Sequence, residues 1–178
     1  MPGDLRFTEV AGVRLPVSEA AGPHGVGGGL ARGFTQTRAG AALAAAHILV
    51  RVHPEVGADV FGPTLAHQVV GDDREALAAN VADAYEQLLH QWPASYGQPA
   101  GRLYLVTPGY RVDSFTGQDA TVTLLIEIPH GRGGMLLGAT TVWMRWHDGD
   151  WALLAPTGGA FTDTFLVEDR SEFGFWES

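Results

Sequence analysis

Residues 140–156, TTVWMRWHDGDWALLAP, set two apolar runs on either side of Asp148-Gly149. That pair suits the positive φ angles of a two-residue hairpin turn. With the turn centred there, Trp146 faces Trp151, Met144 faces Leu153 and Val142 faces Ala155. Side chains alternate between the faces of a strand, so these six make one wall of a core. The opposite face carries Trp143, Arg145 and Leu154, a half-apolar surface that belongs in a larger curved sheet.

Upstream the apolar spacing becomes helical. A first helix is expected to start at a Thr37 cap and run to Arg51, before Pro54 stops it. Its body, RAGAALAAAHILVR, is apolar nearly all round, the pattern of a fully buried helix, and its small residues admit a close neighbour. Proline and glycine cut 54–70 into short helical pieces. Asp72 with Glu75 has capping-box spacing, and Leu77, Val81, Ala84, Tyr85, Leu88 and Trp92 form the inner stripe of an amphipathic helix ending before Pro93.

After Pro93 the pattern is β. A strand is expected at 102–106. A second, over 109–116, puts Tyr110 and Val112 on one face and Arg111 and Asp113 on the other. A third, over 119–128, points Val122, Leu124, Ile126 and Ile128 inward and Thr121, Thr123 and Glu127 outward. The connection at 129–134 leads into the hairpin, so the strands read as an antiparallel meander. The tail, 157–178, is too aromatic to be free and is expected to dock. At the other end, Phe7, Val10, Val13, Leu15 and Val17 suggest short extended pieces. The glycine-rich run 21–33 reads as a mobile loop, since no Gly-Lys-Ser/Thr follows and no strand–GxGxxG–helix unit surrounds it. The expected organisation is an extended Gly-rich arm, 1–34, and a single α+β domain, 35–178.

Composition narrows the chemistry. Eleven basic residues stand against twenty acidic ones, a formal charge of −9, which argues against a broad nucleic-acid face. All eleven are arginine, so a phosphate-loop lysine, a Schiff-base lysine and a lysine general base are excluded. The absence of cysteine removes disulfides, thiolate catalysis and Cys-ligated metals. No run approaches the ~18 apolar residues of a membrane span and no signal-peptide pattern is present, so a cytoplasmic location is expected.

The seven histidines are spread without a metal signature such as HExxH, and no GxSxG elbow occurs, so no metal, cofactor or catalytic residue is assigned. In the His147-Asp148-Gly149-Asp150 run, Asp148 supports the turn and His147 closes it. Four residues could serve a pocket in which burial tunes a carboxylate or imidazole: His47, Tyr85, Tyr110 and Asp113. On a regular strand Asp113 and Tyr110 point to opposite faces.

Helices followed by an antiparallel meander have the outline of the NTF2-like, or cystatin-like, cone. GVRLPVSEAAGP, GFTQTRAGAALAAAHILVR, GYRVDSF and RWHDGDWALLAPTGG resemble a family of actinobacterial proteins encoded among integrative-element and conjugation genes. That family is similar in outline to the NTF2-like domains of conjugation-channel proteins of the VirB8 and TcpC type, and it brings no assigned catalytic residues. The resemblance implies a non-enzymatic binding or assembly domain, an accessory of a conjugative or integrative element. It would act through a protein partner or a homo-oligomer, with Trp143, Arg145 and Leu154 as the interaction surface. The competing expectation is a small-molecule carrier or isomerase/dehydratase-like enzyme with an apolar pocket of ~300 Å³ or more.

Overall fold

The computed structural model describes residues 2–101, 103, 105, 107–130 and 134–176. Its strands are β1 (Arg6–Val10), β2 (Val13–Val17), β3 (Gly25–Gly27), β4 (Leu30–Arg32), β5 (Val69–Val70), β6 (Gly109–Phe115), β7 (Asp119–His130), β8 (Gly134–His147), β9 (Asp150–Leu154), β10 (Thr164–Leu166) and β11 (Gly174–Phe175). Its helices are α1 (Arg38–Arg51), α2 (Ala58–His67) and α3 (Arg74–Gln91), with short 3-10 turns at Pro54–Val56 and Thr157–Gly159. The class is α+β. No helix among the described residues is long and apolar enough to cross a membrane.

The main sheet has the order β11-β6-β7-β8-β9-β5, with β10 also on β8. It is curved and unclosed. Strands β6 to β9 form the expected meander. The sheet is nevertheless mixed, because β5 runs parallel to β9, with Val69 beside Leu153 and Val70 beside Leu154. A two-residue strand carries no alternation to detect. Arg102, Tyr104 and Val106 of the strand expected at 102–106 lie outside the described residues, as do 131–133 of the connection before β8.

The hairpin turn falls at Asp148 (φ 50°) and Gly149 (φ 83°). Trp146 pairs with Trp151 and Met144 with Leu153. The two indoles meet edge to face, 5.4 Å between centroids. Val142 does not pair with Ala155 in that register: β9 ends at Leu154, and the Ala155 N–H turns to the Val70 carbonyl at 2.8 Å.

Helix α1 begins where its cap predicts, with Thr37 Oγ1 accepting the Gly40 N–H at 3.1 Å. Every residue from Gly40 to Arg51 is buried, and a helix apolar all round needs two covers. One is the main sheet, against which α1 packs along β6 to β9; the other is formed by β2, β4 and α2. Residues 1–34 therefore fold as two hairpins over α1, and Val13, Leu15, Ala31 and Phe34 join its core. The glycine-rich run read as a loop contains β3 and β4, turned at Gly28 (φ 57°) and Gly29 (φ 80°).

Helix α3 buries Leu77, Val81 and Tyr85 as its periodicity requires. Its start differs from the capping-box expectation: Asp73, not Asp72, flanks the first turn, and no side chain caps it. Trp92 lies past the last turn, in extended conformation and 58% exposed, so it leaves the inner stripe. Along β7, Thr123 points outward as expected yet is buried, and so is Leu125. Thr123 is held between Asp113 and Thr141, and for Leu125 the reason is the tail. Phe173 packs with Leu125 and Ala139 in a second small core on the outer face, while Trp176 stacks on Tyr110 at 4.4 Å.

Candidate functional site

The inner face of the sheet is closed. Val122, Leu124, Val142, Met144, Trp151 and Leu153 are each at most 2% exposed beneath α1. These side chains pack the space between α1 and the sheet. Two other places gather chemically interesting groups, one on the outer face and one beneath the N-terminal hairpins.

On the outer face, Trp143 and Leu154 line a groove of about 390 Å³ with Phe161, Thr141, Thr162 and Asp163. Trp143 is 39% exposed. Arg145 shares that face but not the groove; its Nε donates to Asp119 Oδ1 at 2.9 Å, half in solvent. Nearby, Asp113 accepts from Arg111 Nε and from Thr123 Oγ1, and Arg111 also donates to Glu172 at 2.6 Å. Asp113 is thus committed to an ion and hydroxyl network, at a bulge in β6. Tyr110 turns the other way onto Trp176, and its burial raises the phenol pKa.

Beneath the hairpins, Arg51 ends α1 with its side chain inside the protein, 2% exposed. Its Nη1 donates to His47 Nδ1 at 2.8 Å and to the His47 carbonyl at 3.2 Å. A guanidinium can only donate, so Nδ1 is the acceptor and the imidazole proton sits on Nε2, which donates to the Pro16 carbonyl at 2.7 Å. His47 is neutral: burial first, and the Arg51 charge second, lower its pKa to about 3. Burial also lowers Arg51, to about 10, which leaves it charged at neutral pH.

Arg51 lines a cavity of about 300 Å³ walled by Val10, Leu30, Val56 and Val60, with Glu9 and Asp59 also on its lining. Tyr85 is outside the lining and donates its hydroxyl to the carbonyl of Gln98, itself a lining residue, at 2.7 Å. The four pocket residues proposed from sequence are therefore not brought together. His47 and Tyr85 each hold a lining residue of this cavity, Arg51 and Gln98, whereas Tyr110 and Asp113 lie on β6 of the main sheet.

A family model described as Domain of unknown function (DUF8175) matches residues 1–173. The chain belongs to this family. No curated protein matches the chain, and no solved structure does.

Within this DUF8175 chain, the residue that sequence reasoning passed over is Arg51, taken only as the end of α1. The available signal was its spacing: positions four apart share a helix face, so a helix buried all round carries His47 and Arg51 inward together. The HDGD run also holds more than a turn. Asp150 Oδ2 accepts the Gly33 N–H at 2.7 Å, and Oδ1 accepts those of Phe34 and Trp151. Among the described residues no group of three or more His, Asp and Glu side chains is placed to hold a metal ion.

Proposed function

We propose that the chain is a non-enzymatic binding domain acting through protein contacts, as an accessory component of a conjugative or integrative element. The observation that carries the binding reading is the convergence of half-exposed Trp143 with Leu154 and Phe161 on one outer-face groove. The groups that could have made a catalytic pocket are instead separately engaged. Aromatic side chains left open in a groove are the usual anchors of a partner segment, and Thr141, Thr162 and Asp163 supply polar groups along it. The occupant proposed is an extended segment of another protein. The mobile-element setting is supported by the resemblance of the four sequence stretches. The NTF2-like outline is supported by α1 lying on a curved, unclosed sheet.

Selection of linear peptides from a random display library on the folded chain tests the reading. Enriched peptides should carry apolar anchors and lose binding about tenfold or more to the Trp143→Ala chain. Binding should persist in the Arg51→Lys chain. No enrichment, or enrichment indifferent to Trp143→Ala, overturns it. So does sedimentation showing that the Trp143 face pairs two copies of this chain.

A further inference from the structure

A charged group enclosed in protein is costly unless something neutralises it. Arg51 is 2% exposed, and among the described residues no carboxylate pairs with it. Among the described residues its one hydrogen-bond partner is His47, which is neutral and occupies Nη1 alone. Among the described residues the hydrogen bonds of Arg51 are those of Nη1, and the edge formed by Nε and Nη2 makes none. That edge is the fork that grips a carboxylate through two parallel hydrogen bonds. The group lies against a cavity of about 300 Å³ whose walls are mostly aliphatic, from β1, the β3–β4 hairpin, α2 and the 97–99 segment.

We infer that this cavity is a binding site for one carboxylate group carried on a small apolar body, with the free edge of Arg51 as its anion partner and His47 as the residue that positions Arg51.

The charge balance selects the class. A single guanidinium matches a monoanion, and a phosphate dianion would ask for a second cation that the lining does not contain. Glu9 and Asp59 share the lining and repel any anion, but both are exposed and screened by solvent, and a dianion meets about twice the opposition that a monoanion does. The aliphatic walls reward an apolar body behind the carboxylate. Fixing the guanidinium through His47 lowers the entropy lost on binding, because Arg51 is already held in place. The same chemistry is offered by a free aliphatic acid and by the C-terminal carboxylate of a polypeptide.

NMR of the 15N-labelled full chain, in buffer free of carboxylates, reads the site directly. The probes are isovalerate, its neutral amide, inorganic phosphate, and a short peptide ending in leucine with a free or an amidated C-terminus. Isovalerate should shift the amides of Leu30, Val56 and Val60 and the Nε–H of Arg51. The neutral amide should bind at least about tenfold more weakly. Arg51→Lys keeps the charge without the fork and should weaken isovalerate about tenfold or more. Val60→Trp, which fills the cavity and leaves Arg51 in place, should abolish binding, and a dispersed spectrum shows that each variant folds. Preference for the free-C-terminus peptide over isovalerate names a protein terminus as the source, and the reverse order names a small acid; either result upholds the site. No shifts at these residues, equal shifts from the amide, or tighter binding of phosphate overturns the inference.

Discussion

A carboxylate oxygen of Asp150 accepts the backbone N–H of Gly33 at 2.7 Å, across 117 residues of chain. Its other oxygen accepts from Phe34 at 3.1 Å and Trp151 at 2.9 Å, while the Trp151 indole N–H donates to Thr35 at 2.9 Å. The β8–β9 hairpin therefore clamps the segment leading into α1. Hydrogen bonds to a charged acceptor contribute more than neutral ones, and removing the acceptor leaves backbone N–H groups partly shielded from water. Asp150→Ala should cost about 2–3 kcal/mol and Asp150→Asn, which keeps one carbonyl acceptor, about half as much. Urea denaturation checks this through the midpoint, with the slope unchanged.

Gly40 sets two effects against each other. Within a helix, alanine is favoured over glycine by about 1 kcal/mol. A Cβ at Gly40, however, would stand 2.0 Å from the Thr35 carbonyl oxygen and 2.9 Å from the Thr35 nitrogen. Both are backbone atoms, in a segment held by Trp151, so the clash outweighs propensity. Gly40→Ala should destabilise by about 2 kcal/mol or more, with a visible drop in melting temperature. An increase in melting temperature would show that the 35–37 segment yields freely.

These two sites mark what the chain makes legible and what it does not. The hairpin, α1 and α3 could be read because alternation, caps and 3.6-residue spacing are local properties of consecutive residues. The clamp could not, since no local pattern tells Asp150 from a residue that merely follows a turn. Gly28-Gly29 did carry a two-residue turn signal, but dense glycine on both sides made the segment look like an unstructured loop. Strand β5 is too short for any period, and Leu125 was hidden because its cover, Phe173, lies 48 positions on. Of the candidate site residues, Trp143 and Leu154 do share one groove. Arg51 is harder to read because burial of a charge contradicts the expectation for an arginine; its spacing from His47 hints at the inward position, and tertiary structure establishes it.

His47 gives the fold a pH dependence whose sign is fixed. Its pKa is about 3 in the folded chain against the 6.5 of an ordinary imidazole, so between those values the unfolded state binds the proton more readily. Stability from this group is fully present above the unfolded pKa and declines as the pH falls from about 6.5 toward 3, with a limiting slope of about 1.4 kcal/mol per pH unit. Three carboxylates are also lowered, Glu55 against its burial by a hydrogen bond to His53, and Asp4 and Asp169 by hydrogen bonds to Ser18 and Ser171, and they lose their contribution mainly below this range. Between pH 6 and pH 5 the difference in slope between the unsubstituted chain and a His47 variant therefore isolates the histidine. His47→Gln can still offer an acceptor to Arg51 and a donor to Pro16. It should flatten denaturation free energy against pH in that window, whatever its offset at pH 7. An unchanged slope would refute the assignment of a neutral, buried imidazole.

The end of the tail, more than its middle, should hold the outer face of the sheet. Phe173 is 9% exposed and packs with fully buried Leu125 and Ala139, and the Arg111 guanidinium lies 5.0 Å from the centre of its ring. Phe165, on β10, is 48% exposed although its backbone pairs with Ala139. Both substitutions delete the same atoms, so the difference between them reports what surrounds each ring: burial and the Arg111 contact at Phe173, solvent at Phe165. Phe173→Ala should cost about 3 kcal/mol and uncover Leu125, whereas Phe165→Ala should cost well under about 1 kcal/mol. The first should also bring out binding of a fluorescent apolar dye that the second does not. Equal costs would mean that β10 pairing, and not the small core around Phe173, fastens the tail to the sheet.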